Sequence, residues 1–231
     1  MSNAAIITAA GQGIRMGLPV AKQFLPVLEK PLLWHTISVF ETCPVIDDII
    51  LVLPPDMVET GRMQFPSEFK KIKAVAAGGK TRQESVRNGL AEVSGESVIV
   101  AVHDGVRPLV DHELIIRTIN LAKEKGAAIP AVPAGDTLKS VSEGGLIART
   151  LDRTGIYCAQ TPQCFRLNLL KKAFSQAAQD GTFSTDEAQL LERIGEAVYI
   201  SHGDPLNIKI TTPSDLKIAE ILLKARYDAN S

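Results

Sequence analysis

No apolar run in the 231 residues approaches the roughly 20 that a membrane helix requires; stretches such as Ile49 to Leu53 and Val98 to Val102 are far too short. Neither sign of charge dominates, since 25 Lys plus Arg stand against 26 Asp plus Glu for a net charge of -1. That balance argues against a surface built throughout to grip nucleic acid or anionic lipid, so neither is expected as a partner, and any basic cluster must be local. The first residues, Met1-Ser2-Asn3-Ala4, run into Ala5-Ile6-Ile7 without a basic leader and an apolar stretch, and a cytoplasmic location is expected. The three cysteines, Cys43, Cys158 and Cys164, are an odd number without CxxC spacing. They suit neither a disulfide framework nor a zinc site and read as buried, reduced thiols.

With 45% hydrophobic and 22% charged residues, the chain can bury a sizeable core. Short β-branched runs alternate with segments of helical period. Strands are predicted at Ala4 to Ala9, Asp48 to Leu53, Ile72 to Ala76, Ser97 to Val102, Ala127 to Val132 and Ala197 to Ser201. Helices are predicted at Pro31 to Thr42, Thr81 to Val93, Asp111 to Lys125, Leu167 to Gln179, Asp186 to Ile194 and Pro213 to Ala225. This alternation implies a single α/β domain over residues 1–231, a Rossmann-like, mostly parallel sheet with flanking helices. Two stretches break it. About twenty residues from Ala10 to Lys30 separate the first strand from its helix, which is long for a βα connection and points to function. Between Asp136 and Tyr157, Ser142-Glu143-Gly144-Gly145 signals a hairpin joining Thr137–Val141 to Leu146–Thr150. A two-stranded ribbon is marginal alone, so this protruding arm is expected to pack on a second copy of the chain.

The first long loop reads Ala9-Ala10-Gly11-Gln12-Gly13-Ile14-Arg15-Met16-Gly17, followed by Lys22-Gln23-Phe24. Small residues let backbone N–H groups approach an anion, and Arg15 and Lys22 add positive charge, which describes a polyphosphate site. No Gly-Lys-Ser/Thr follows the glycines, so this is not a Walker A loop. The spacing is not GxGxxG, and no acid ends the second strand at the distance a dinucleotide fold needs; the first is Asp56.

Ala-Ala-Gly-x-Gly-x-Arg-Met with Lys-Gln-Phe resembles the nucleotidyltransferases that join a nucleoside triphosphate to a sugar phosphate. Among these, the chain is similar to the 2-C-methyl-D-erythritol 4-phosphate cytidylyltransferases of the non-mevalonate isoprenoid pathway. Further motifs carry the likeness in order: Gly78-Gly79-Lys80-Thr81-Arg82-Gln83-Glu84-Ser85-Val86, His103-Asp104-Gly105-Val106-Arg107-Pro108, Asp136-Thr137-Leu138-Lys139, Asp152-Arg153-Thr154-Gly155, Thr161-Pro162-Gln163, Thr185-Asp186-Glu187 and Asn207-Ile208-Lys209-Ile210-Thr211. Leu18-Pro19-Val20-Ala21 precedes Lys22 where the family commonly has proline next to the lysine, and Lys80 stands where an acid can occur.

The resemblance implies attack by a sugar-alcohol phosphate on the α-phosphorus of CTP, releasing pyrophosphate. It places Arg15 and Lys22 on the triphosphate and Lys209 near the α-phosphate, with Mg²⁺ or another divalent cation bridging phosphate oxygens. Gly11, Gly13 and Asp104 fall on the nucleotide side, and Asp104 is also the candidate metal ligand. Backbone groups of Ala9, Ala10 and Gly79 with Ser85 read the cytosine, with Arg82 close by. For the acceptor phosphate it implies Arg107 and Thr137 from one chain and Arg153 and Thr161 from the ribbon region of a partner in an arm-exchanged homodimer. A phosphate monoester has a second pKa of about 6, so the nucleophile needs no general base and His103 reads as structural. Asp186-Glu187 reads as the cap of the helix that follows, through Thr185 or Asp186. With few residues after Lys209, a monofunctional enzyme is expected. D-ribitol 5-phosphate cytidylyltransferases resemble the chain in fold and loop; a nucleotide-binding regulator and an NAD-dependent oxidoreductase are the readings of other classes.

Overall fold

The computed structural model describes residues 2–11 and 21–229. Its elements are β1 (Ser2–Thr8), β2 (Pro26–Val27), β3 (Lys30–Pro31), α1 (Leu32–Thr42), β4 (Asp48–Leu53), α2 (Val58–Glu68), β5 (Ile72–Ala77), α3 (Arg82–Ala91), β6 (Ser97–Asp104), α4 (His112–Lys125), β7 (Ala127–Pro133), β8 (Lys139–Val141), β9 (Ile147–Thr150), β10 (Tyr157–Ala159), β11 (Gln163–Arg166), α5 (Leu167–Asp180), α6 (Glu187–Arg193), β12 (Tyr199–His202) and α7 (Pro213–Ala229).

Strand periodicity sorts the apolar side chains of β1 onto two faces. Ala5 and Ile7 meet Leu33, Ile37 and Phe40 of α1 and Leu114, Ile115 and Ile119 of α4, whereas Ala4 and Ile6 meet Val86 and Leu90 of α3 and Leu170 and Phe174 of α5. Both faces are therefore covered, which is why the central strands read as unbroken apolar runs. Each fully buried Ile or Leu contributes about 1.5–3 kcal/mol relative to exposure. A third cluster, Val27, Leu32, Val106, Leu109, Ile210, Ala219 and Leu223, fastens α7 over the loops.

The sheet runs β10-β7-β11-β6-β1-β4-β5, with β12 also pairing β7. β4, β1, β6 and β5 pair in parallel, as does β12 with β7. The mostly parallel expectation thus holds, with one insertion: β10 and β11 lie antiparallel to β7, and β11 also pairs antiparallel with β6. These two strands, β2, β3 and α2 were not predicted. α2 contains Gly61 and Pro66 and buries only Val58 and Gly61, so it has no apolar stripe to announce it. The caps were legible: the side chain of Thr81 accepts from Glu84 N, that of Asp111 from Leu114 N and that of Asp186 from Gln189 N. The predicted hairpin forms, β8 pairing antiparallel with β9 around a turn whose Gly144 and Gly145 both have φ +82°. Cys43 and Cys164 are buried, but Cys158 is exposed on the edge strand β10, correcting the expectation of three buried thiols. Among the described residues, no helix is long and apolar enough to cross a membrane.

Candidate functional site

Parallel register brings the carboxyl ends of three strands to one edge: Thr8 lies opposite both Asp104 and Val52. Open α/β sheets bind ligands at this edge. The antiparallel β11 starts at the same edge, Gln163 facing Val102, and so delivers Thr161 to Asp104.

Asp104 gathers the cations. Its side chain is 8% exposed, with Oδ1 3.1 Å from Arg82 Nε and Oδ2 2.9 Å from Lys209 Nζ and 3.5 Å from Arg107 Nε. Burial alone would push this carboxyl up, but Arg82, Lys209 and Arg107 outweigh it and hold it well below the usual carboxylate range. Arg82 reaches a second acid as well: its Nη1 donates to both oxygens of the buried Glu187, at 2.7 and 2.9 Å. Burial pushes the Glu187 carboxyl up, and Arg82 works against that rise.

Arg107 and Lys209 are fixed from behind. Arg107 Nη1 donates to Asn207 O, and Asn207 Nδ2 donates to Thr161 O. Ile210 N donates to Val106 O, so the segment carrying Lys209 is pinned on both sides. Lys22 Nζ donates to Ile210 O at 2.9 Å, which brings the first loop to the same place. Buried Gln23 donates from Nε2 to Ala9 O and Gly11 O and holds the mouth of that loop.

His103 is fully buried between two hydrogen bonds. Arg107 O can only accept, so Nε2 carries the proton and Nδ1 accepts from the Thr161 hydroxyl, which in turn accepts from Asp104 N. Burial pushes its pKa down to about 3. The ring is neutral near pH 7 and packs on Phe40, so its structural reading agrees with its surroundings.

The turn after β5 closes on the first loop. A Cβ on Gly78 would lie 2.1 Å from Ala10 Cβ, so this approach requires glycine. Gly78 N donates to Leu53 O, Gly79 N to Ser85 Oγ, and Ala9 N to Val52 O. Ser85 Oγ also donates to Thr81 O, which ties this turn to the start of α3.

The predicted residues Lys22, Lys209, Ala9, Ala10, Gly11, Gly79, Arg82, Ser85, Asp104, Arg107 and Thr161 all lie along this edge. Thr161 requires a correction: it was expected from a partner's ribbon, but its hydroxyl is bonded beside Asp104 and His103 of its own chain, because β11 lies alongside β6. Asp186 is the helix cap, one of the two candidates expected, and Glu187 beside it faces Arg82. Thr137 and Arg153 are exposed around the base of the arm and do not join the Asp104 cluster; the Arg153 guanidinium donates to Gly135 O beside a cavity of about 390 Å³. Arg15 and Gly13 lie outside the described residues. Gln23, Asn207 and Glu187 were missed as functional residues, although each stands in a motif already singled out.

The family model described as 2-C-methyl-D-erythritol 4-phosphate cytidylyltransferase matches residues 3–225. The chain belongs to this family. The cytidylyltransferase of Syntrophus aciditrophicus is 46% identical over 222 residues, covering 95% of each chain. That of Syntrophotalea carbinolica is 45% identical over 231 residues, covering 99% of each. The crystal structure of 2-C-methyl-D-erythritol 4-phosphate cytidylyltransferase from Thermus thermophilus superposes with a TM-score of 0.82 at 33% identity, over 97% of this chain and all of that one. In this member of the cytidylyltransferase family, the Asp104 cluster is where, among the described residues, the motifs converge on opposed charges.

Proposed function

We infer that the chain transfers the cytidylyl group of CTP to 2-C-methyl-D-erythritol 4-phosphate, forming 4-diphosphocytidyl-2-C-methyl-D-erythritol and pyrophosphate. The observation that carries the reading is the convergence of Arg82, Arg107 and Lys209 on one buried carboxylate at the end of a parallel strand, with Lys22 close behind. An acceptor phosphate oxygen attacks the α-phosphorus, the new P–O bond forms in line with the bond that breaks, and pyrophosphate leaves. The nucleophile is mostly a dianion near neutral pH, because its second pKa is about 6, so no base removes a proton from it. What the reaction needs is positive charge, already oriented, around two polyanions. Lys22 and Arg15 hold the triphosphate; Lys209 exchanges part of its contact with Asp104 for the reacting phosphates; Arg107 holds the acceptor. Backbone groups of Ala9, Ala10 and Gly79, with Ser85, read the cytosine, and a pocket that meets its exocyclic amine with acceptors rejects uracil.

A divalent cation fits as a companion of the triphosphate rather than as a caged ion. Among the described residues there is no cluster of three His, Cys, Asp or Glu. Asp104 is the carboxylate that Lys209 and Arg107 share, and its three ion pairs leave acceptor capacity on Oδ1. Mg²⁺ commonly keeps its waters and binds through one carboxylate plus substrate phosphates. Bound there, it would neutralise phosphate charge; Asp104 is the chain's ligand for it.

The active form is a homodimer with exchanged arms. Val141, Leu146 and Ile147 on the arm are 56%, 72% and 58% exposed, and a two-stranded ribbon has no core of its own in which to bury them. Arg153 at the arm base serves the partner's acceptor site, and Thr137 the acceptor site of its own chain. Three unpaired cysteines suit a reducing compartment, and the cytoplasm is the location this favours.

Incubation with CTP, Mg²⁺ and either acceptor tests the reading. Pyrophosphate release should be faster with 2-C-methyl-D-erythritol 4-phosphate than with D-ribitol 5-phosphate; the opposite order overturns the choice of acceptor.

A further inference from the structure

Glu187 sits in the first turn of α6, is 1% exposed and lies 105 residues from its partner Arg82. Its position is imposed from both sides along the chain. Gln163 Nε2 donates to Asp186 Oδ2, and Gln163 Oε1 accepts from Ala188 N, so the start of the helix is fastened to β11. The carboxylate between those anchors places both oxygens on Arg82 Nη1. With Nη1 held there, Arg82 meets Asp104 through Nε, in a single bond to Oδ1.

We propose that Glu187 is a positioning residue for the transfer: by anchoring Arg82 Nη1 with both oxygens, it fixes the orientation of the guanidinium so that Nε meets Oδ1 of Asp104 and Oδ2 is left to Lys209 and Arg107. The proposal rests on the reading of Asp104 and Lys209 as part of the phosphate site. Its physical basis is the preference of guanidinium and carboxylate for a two-pronged, fork-to-fork pair. Released from Glu187, Arg82 swings onto both oxygens of Asp104 and displaces Lys209 from Oδ2. The charge balance changes as well. Asp104 and Glu187 oppose Arg82, Arg107 and Lys209, leaving one positive charge in excess; without Glu187 the excess doubles and Arg82 is the cation set loose. A buried ion pair is weak grounds for a purely stabilising role, since an apolar pair often serves as well. Here the pair divides one carboxylate between three cations.

The test is a double-substitution cycle on the full chain, reading kcat at saturating CTP and acceptor, both KM values and thermal melting. Glu187→Gln preserves shape and removes charge. It should lower kcat at least tenfold, with CTP KM changed less than threefold. On an Arg82→Gln background the same substitution should change kcat less than twofold, because the effect travels through Arg82. A structural role alone moves melting and leaves kcat in place. Wild-type kcat in Glu187→Gln, or equal losses on both backgrounds, overturns the proposal. If Glu187→Gln alone does not fold, the double variant lacks both charges and is compared with Arg82→Gln: equal kcat supports the proposal, and a further tenfold loss overturns it. Lys209→Ala separates the two levels. If it turns over like wild type, the phosphate-site reading and this proposal fall together; if it is inactive while Glu187→Gln is normal, this proposal alone falls.

Discussion

An imidazole stands next to the carboxylate that gathers the cations, yet both its nitrogens serve the backbone and side chains that hold that carboxylate. His103→Gln should therefore leave the low-pH limb of kcat/KM near 6, where the acceptor phosphate ionises. Its cost should appear in stability, at about 1–3 kcal/mol for the hydrogen-bonding group left unpaired, or a few degrees of melting temperature in a chain of this size. A limb that moves with the substitution would make His103 a proton carrier. The wild-type stability has its own pH signature. The unfolded imidazole titrates near 6.5 and the folded one about 3, so between those values the unfolded chain binds more protons. Stability is complete above about 6.5 and declines as pH falls toward 3; Asp104, depressed when folded, adds its loss as pH falls below the ordinary carboxylate value. Asp104, Arg107 and Lys209 were legible as residues because each sits in a compact motif. Glu187 was not, because its partner lies 105 positions away and its neighbour Asp186 takes the cap that sequence spacing predicts.

Strands and caps were readable because their signals are local. The boundaries of β4 match the expectation, and α1, α3, α4 and α6 each begin one residue after the predicted start, the predicted first residue being the cap. β10 and β11 were not readable. They are three and four residues long, and what makes them strands is pairing with β7 and β6, whose residues lie far away along the chain. The tight passage between the end of β1 and the turn after β5 also escaped notice, although its glycines were recognised as a motif. Gly78→Ala tests that passage. The added methyl meets Ala10 Cβ at 2.1 Å and must displace the first loop or the turn. Equilibrium titration should show CTP bound at least tenfold more weakly, while acceptor KM changes little. Unchanged CTP affinity would mean that the two loops do not build the base site together.

At the scale of the whole molecule, the chain alone assembles Lys22, Lys209, Arg107 and Asp104 but leaves Arg153 at the arm base, bonded to its own Gly135. In the proposed arm exchange, a second copy completes this half-built site. Lys22→Ala and Arg153→Ala homodimers should each lose most turnover, since one well-placed stabilising group is worth roughly 10²–10³ in kcat. Mixed after mild denaturation, the two variants form dimers at random, and about half are heterodimers by two-fold symmetry. In each heterodimer one site carries both lesions and the other none. Roughly a quarter of wild-type pyrophosphate release should therefore return. No recovery, with heterodimers demonstrated by mass spectrometry, would show that Arg153 does not serve the partner's site and would contradict the composite site.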